Sequence, residues 1–175
     1  MFKLVKIEDT VRVPPDKFSE PIESAVIDIL RKTYVGIADK DVGVILAITK
    51  VEKIGEGRII MGDGASHHDV VFEALVFKPE LDEVVLGEIV DITDFGAFVR
   101  IGPLDGLVHI SQVMDDYISH DRKKGILIGK EKKLVLKVGD HVRARIMAIG
   151  AEKIGMTMRQ PGLGKLEWLE KEGKS

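Results

Sequence analysis

The chain contains no cysteine in 175 residues. That excludes a disulfide framework and every thiolate-ligated metal site. No apolar run approaches the roughly 20 residues that a membrane-spanning helix needs, and no signal-peptide pattern precedes Phe2-Lys3, so a cytoplasmic location is the expectation. Aromatic residues make up only 5% of a chain that is 45% hydrophobic, which suits a soluble pair of small domains. Neither sign of charge dominates: 26 Lys and Arg stand against 29 Asp and Glu, and a formal charge of −3 excludes a general polyanion binder. Repeats and low-complexity tracts are missing, and so are a nucleophile elbow, a His-Glu-x-x-His helix and a phosphate-binding lysine loop. Carboxylates such as Asp91, Asp94, Asp105, Asp115 and Asp116 are spaced like turns and strand edges, whereas a metal-dependent nuclease needs them convergent. The expectation is therefore no catalytic site, no metal and no cofactor.

What is present is concentrated in GEIVDITDFGAFVRIGPLDGLVHIS, from Gly87 to Ser111. Ile89 and Ile92 lead into Phe95-Gly96-Ala97-Phe98, and Gly96 permits a bend and a close approach of a base or of backbone. Phe98 and Arg100 then alternate with Val99 and Ile101 as in a strand, and a turn from Gly102 to Gly106 feeds Leu107-Val108-His109-Ile110. Lys137-Val138-Gly139-Asp140-His141-Val142 opens a fourth strand, and Lys153 to Arg159 supplies a fifth. Five short strands suggest a small barrel of the OB type. The ordered segments FGAFV, GLVHIS and KVGDHV resemble the S1 domain, an OB-fold module of RNA-binding proteins, over roughly residues 81–160. On such a barrel strands two and three face the nucleic acid, and exposed rings act as stacking platforms. Phe95, Phe98 and His109 are the candidates. The alternative is that a phenylalanine belongs to the barrel core and that His109 is structural.

Charge is local. From His120 to Arg145 there are nine Lys or Arg and three Asp or Glu. Arg122-Lys123-Lys124, Lys130, Lys132-Lys133, Arg143 and Arg145 form a candidate phosphate path, with a plain solvated face as the alternative. Ile126, Ile128, Leu134 and Leu136 around Gly129-Lys130-Glu131 predict a β-hairpin inserted between strands three and four.

The first eighty residues read as a separate α+β unit, with a boundary near Lys78-Pro79-Glu80. A strand from Phe2 to Val13 ends at Pro14-Pro15. A helix follows, with Phe18, Ile22, Ala25, Val26, Ile29 and Leu30 at helical spacing and Ser19 and Pro21 at its start. Gly43 to Ile48, Arg58 to Met61 and Val70 to Phe77 complete the order βαβββ, a small sheet under one helix. The loop Gly62-Asp63-Gly64-Ala65-Ser66-His67-His68-Asp69 lacks both the lysine of a nucleotide loop and the spacing of a metal site. It is expected to be an exposed turn or a tip that docks into a partner. Residues 161–175 form a C-terminal tail.

Taken whole, the chain resembles the family of archaeal RNA polymerase E-prime subunits, counterparts of the seventh subunit of eukaryotic RNA polymerase II. The resemblance rests on FKLVKIEDTVRVPP, FSEPIE, GDGASHHDVVFEALVFKP, FGAFVRIGPLDGLVHIS and DRKKGILIGKEKKLVLKVGD. It implies a ribonucleoprotein-like N-terminal tip domain that plugs into the polymerase core and an S1 domain that meets nascent single-stranded RNA. It also implies an obligate partner, the F subunit of RNA polymerase, in a heterodimeric stalk that assists open-complex formation. On that reading RNA is held by Phe95, Phe98, Arg100, His109, Lys132, Lys133, Arg143 and Arg145. Gly36 and the residues Gly62, Asp63, Gly64, Ala65 and Ser66 dock on the core. The competing reading is a free-standing S1-type RNA-binding factor of translation or RNA decay.

Overall fold

The computed structural model describes residues 1–150 and 153–173. The chain divides into two compact units, the first Met1–Lys78 and the second beginning at Pro79.

The first unit contains β1 (Phe2–Val13), α1 (Ile22–Tyr34), β2 (Ala38–Asp39), β3 (Gly43–Ile54), β4 (Arg58–Ile59) and β5 (Ser66–Phe77). Its sheet runs β1-β5-β3-β2, with β4 also paired to β5. Strand β5 alternates strictly: Val70, Phe72, Ala74 and Val76 are buried, and they share a core with Ala25, Val26 and Leu30 of α1. A period of two against a period near 3.6 is what a sheet with one helix-covered face requires. Burying a Val, Leu or Phe side chain in this way contributes about 1.5–3 kcal/mol. Strand β3 slips register against β5 three times, after Ile45, Ile48 and Val51, and each bulge adds bend and twist to this edge.

Two elements are shorter than the sequence suggests. The helix begins at Ile22 with Pro21 as its N-cap, Ser19 makes no cap, and Phe18 lies exposed after a 3-10 turn at Pro15–Lys17. Glu20 precedes a proline, which disfavours helical backbone there. The strand expected at Arg58 to Met61 stops at Ile59, because Ile60 and Met61 enter a turn closed by the Asp63 N–H donating to the Ile60 carbonyl at 3.0 Å.

The second unit contains β6 (Val84–Thr93), β7 (Gly96–Ile101), β8 (Leu104–His109), β9 (Ile118–Asp121), β10 (Ile126–Gly129), β11 (Val135–Lys137), β12 (His141–Ile149), β13 (Ile154–Thr157), β14 (Gly164–Lys165) and α2 (Leu166–Glu172). Strands β13-β8-β7-β6-β12 run in that order, and β13 pairs again with β12, which closes a five-stranded barrel. The β13–β8 pair is parallel. Closure removes the open edges that would otherwise invite pairing with other chains. Ile89, Val99, Val108, Val142, Ile146 and Met156 fill the interior.

Between β8 and β12 lies a second sheet, β11-β10-β9. The β10–β11 hairpin pairs Leu127 with Leu136, both fully buried. Strand β9, Ile-Ser-His-Asp, escapes sequence reading because four mostly polar residues carry no usable periodicity. Within the segment read as a tail, β14 pairs with Val142 and Arg143 of β12.

Candidate nucleic-acid interface

Inward and outward sides of the barrel strands follow from their register. On β7 Ala97, Val99 and Ile101 are buried, which leaves Gly96, Phe98 and Arg100 on the outer side. Across β8 these stand opposite His109, Leu107 and Asp105, and across β6 opposite Thr93, Asp91 and Glu88. Phe98 is therefore a half-buried surface ring and not core. Phe95, in the β6–β7 turn, is half exposed and meets Phe98 edge to face, with ring centroids 6.1 Å apart at 87°. Such a pair offers two differently inclined π surfaces to an unstacked base.

Gly96 serves this turn in a way the sequence left open. A Cβ there would lie 2.1 Å from the Val108 carbonyl oxygen. The close approach is made by the β8 backbone.

His109 is exposed at the end of β8. Its Nδ1 accepts the Ser111 N–H at 3.2 Å and lies 2.9 Å from Ser111 Oγ. An Nδ1 that accepts from a backbone donor leaves Nε2–H as the free edge of the neutral ring, which suits a hydrogen bond to a base or ribose oxygen. Arg100 donates to Asp105 at 3.2 Å, with both side chains exposed. An exposed pair of this kind is worth about 0–1 kcal/mol, so the guanidinium can exchange to a phosphate.

The basic residues are spread over several elements of this unit. Arg143 lies on β12, donates to the Gly162 carbonyl at 3.2 Å, and is separated from β7 by the whole of β6. Arg145, also on β12, is half-buried with a buried Nε that has no hydrogen-bond partner among the described residues. Lys132 and Lys133 sit at the β10–β11 tip, where Asp116 accepts the Lys132 N–H at 2.9 Å and the Glu131 N–H at 3.0 Å. These backbone hydrogen bonds, led by that of Lys132, hold the Asp116 carboxyl below the usual range. The opposite end of the same hairpin sheet, Arg122-Lys123-Lys124, is the end beside Phe95. There Asp94, Phe95, His120 and Arg122 line one shallow cleft. Asp94 accepts from His120 Nδ1 at 2.7 Å and from Arg122 Nη2 at 2.5 Å. Sequence reading missed Asp94 and His120 as site residues, since their partners lie 26 and 28 positions apart in the chain.

In the first unit the docking candidates also separate. Gly36 bonds to Ile45, whose β5 partner is Val76, whereas Gly62 to Ser66 lie at the Ser66 end of β5. The two loops thus stand at opposite ends of a 12-residue strand. Within the second loop Ala65 is fully buried, and Asp63 is an internal clasp. It receives Arg12 Nε at 2.9 Å, Arg12 Nη2 at 2.8 Å and the Ala65 N–H at 3.1 Å, and lies 3.1 Å from His67 Nε2. The Arg12 guanidinium, more than the other two, holds the Asp63 carboxyl far below the usual range. His68 spends both ring nitrogens internally, on the Gly55 carbonyl and Ser66 Oγ. No cluster of three metal-ligating side chains occurs among the described residues. Exposed just before the loop are Ile59, at the end of β4, and Ile60 and Met61, at 77%, 54% and 100%.

Residues 8–64 match the SHS2 domain found in the N terminus of Rpb7p/Rpc25p/MJ0397, and residues 78–153 match the S1 RNA binding domain. Over 180 residues the chain is 42% identical to DNA-directed RNA polymerase subunit Rpo7 of Saccharolobus shibatae, spanning 99% of this chain and 100% of that one. Identity to the Rpo7 subunit of Sulfolobus acidocaldarius is 44% over 177 residues, 98% of this chain and 97% of that one. It is 34% over 150 residues to the RNA polymerase III subunit RPC8 of Saccharomyces cerevisiae, 83% and 71% of the two chains. Agreement across both units argues against a free-standing S1 factor, which would share the barrel alone. An SHS2 sheet followed by a closed S1 barrel, matched end to end, places this chain in the Rpo7 family of DNA-directed RNA polymerase subunits.

Proposed function

We propose that this chain is the non-catalytic stalk subunit of its polymerase: it pairs with the F subunit, docks on the core through the first unit, and guides nascent single-stranded RNA over the outer face of β6, β7 and β8. The observation that carries the RNA reading is the Phe95–Phe98 edge-to-face pair beside His109 on one exposed strand surface. Stacking platforms of this kind tolerate any base, which suits a transcript in motion. Arg100, next but one to Phe98 on β7, and the exposed Lys123 and Lys124, which follow the Asp94-bound Arg122 in the chain, take the phosphates in this reading.

Docking is assigned to Ile59, Ile60 and Met61. Three consecutive apolar side chains exposed where β4 runs into a clasped loop are costly in water and gain on entering an apolar pocket. An engaged tip biases a mobile part of the core towards the open complex. The test is purification of the tagged chain from its own cell extract at moderate salt. Recovery of a small partner and the large polymerase subunits is expected, and Ile60→Asp with Met61→Asp should release the large subunits while RNA binding persists. Recovery of ribosomal or decay proteins in place of polymerase would overturn the stalk assignment.

A further inference from the structure

The turn that presents Phe95 is anchored from two sides. On the barrel side the Ile110 N–H donates to the Phe95 carbonyl at 2.8 Å, and Thr93 Oγ1 donates to the Gly96 carbonyl at 3.2 Å. From the inserted sheet, hydrogen bonds converge on one carboxylate. Asp94 takes His120 Nδ1 and Arg122 Nη2, and Arg122 Nε adds a third contact at 3.2 Å.

A carboxylate beside a stacking ring is electrostatically wrong for a polyanion. It also occupies the guanidinium fork that would otherwise receive a phosphate. Its presence there calls for a role other than ligand contact, and the geometry supplies one. The clamp joins the insertion to the two-residue turn on which Phe95 rides, so the ring's place relative to Phe98 is set by a rigid sheet and not by a free loop.

We propose that Asp94 is a positioning residue for RNA stacking: gripped by His120 and Arg122, it holds the β6–β7 turn so that Phe95 meets a base in register with Phe98. This rests on the reading of β6 to β8 as the RNA face. It makes the insertion a brace for the aromatic site in addition to a carrier of positive charge.

The two roles open to Asp94 predict opposite signs. If it acts only as a charge, Asp94→Asn relieves repulsion and frees Arg122, so RNA binds more tightly and the log–log salt slope steepens by about 0.7, one added phosphate contact. If it positions Phe95, the same change weakens binding about five-fold, the low end of the loss of one stacking platform, without steepening the slope. The experiment titrates the full-length chain into a single-stranded RNA oligonucleotide carrying 2-aminopurine and follows affinity, quenching and salt slope. Weaker binding with lost quenching is expected for Asp94→Asn. Arg122→Lys keeps the charge but not the fork and should lose quenching as well. Tighter or unchanged binding by Asp94→Asn overturns the proposal, as does parent-like quenching in Arg122→Lys. Phe95→Ala separates the two levels. If it leaves binding unchanged, the RNA-face reading itself falls. If it weakens binding while Asp94→Asn does not, only the clamp falls.

Discussion

Arg12 and Asp63 lie 51 positions apart in the chain yet join through two hydrogen bonds of 2.8 and 2.9 Å, locking the loop after β4 to the end of β1. Because this contact depresses the Asp63 carboxyl below its unfolded value, the stability it confers is present above the ordinary aspartate value near 3.9 and is lost as pH falls below it. Asp63→Asn should therefore unfold more readily than the parent at pH 7, and the difference in urea midpoint should shrink as pH is lowered below about 4. A difference that persists undiminished in acid would assign the effect to packing alone.

Gly96→Ala should be among the most damaging single-methyl changes in the barrel. The added Cβ would sit 2.1 Å from the Val108 carbonyl at a backbone φ of +155°, so β7 and β8 must part. Overpacking of this order costs about 1–3 kcal/mol, read as a lower thermal midpoint, and RNA affinity should fall with it because Phe98 and His109 straddle the site.

The salt dependence of RNA binding discriminates between the two ends of the basic insertion. Replacing Lys123 and Lys124 by Ala should lower the log–log slope by up to about 1.4, at roughly 0.7 per phosphate on a single strand. Arg143→Ala should leave it unchanged, since that residue faces Gly162 beyond β6. Phe95→Ala and Phe98→Ala should each cost about 1–3 kcal/mol of binding, and together less than their sum, because the rings touch.

Lys165 at β14 reaches Asp140 at 3.2 Å and Glu167 at 3.2 Å, and both Lys165 and Asp140 are buried. Burial works against the ammonium, but the hydrogen bonds to the two carboxylates outweigh it and raise Lys165 above its ordinary value. Its contribution is thus fully present at neutral pH and is lost only as pH climbs above the lysine range. Asp140→Ala leaves the ammonium with the more exposed Glu167 alone, and a loss of about 3–5 kcal/mol in urea unfolding is expected. Lys165→Met keeps the apolar stem but leaves the buried Asp140 carboxylate with the Lys137 N–H and no ammonium, so it should lower the urea midpoint as well.

Much of the fold is local and was therefore legible. Alternation in Val70 to Phe77, the helical stripe Ala25-Val26-Leu30 and the glycine-punctuated run from Gly87 to His109 each encode an element within a short stretch of chain, because side-chain period and backbone geometry are tied. The outward placing of Phe98, Arg100 and His109 follows from the same alternation once Val99 and Ile101 are taken as core.

What the sequence by itself determined is thus the longer elements and their order, the S1 signature and the aromatic candidates. Tertiary structure alone decided which charges meet them. Lys132, Lys133, Arg143 and Arg145 are close in the chain to the insertion's other cations yet end on the β10–β11 tip and on β12, while Asp94 finds His120 and Arg122 at 26 and 28 positions along the chain, with β7 and β8 between. It likewise decided that Gly36 and Gly62 stand at opposite ends of one sheet, and that Asp63 and Ala65 serve their own loop while Ile59, Ile60 and Met61 face water. The reason is physical: hydrophobic periodicity is written in neighbouring residues, but an ion pair between distant positions depends on barrel closure and sheet order, and these exist only once the long-range register has formed.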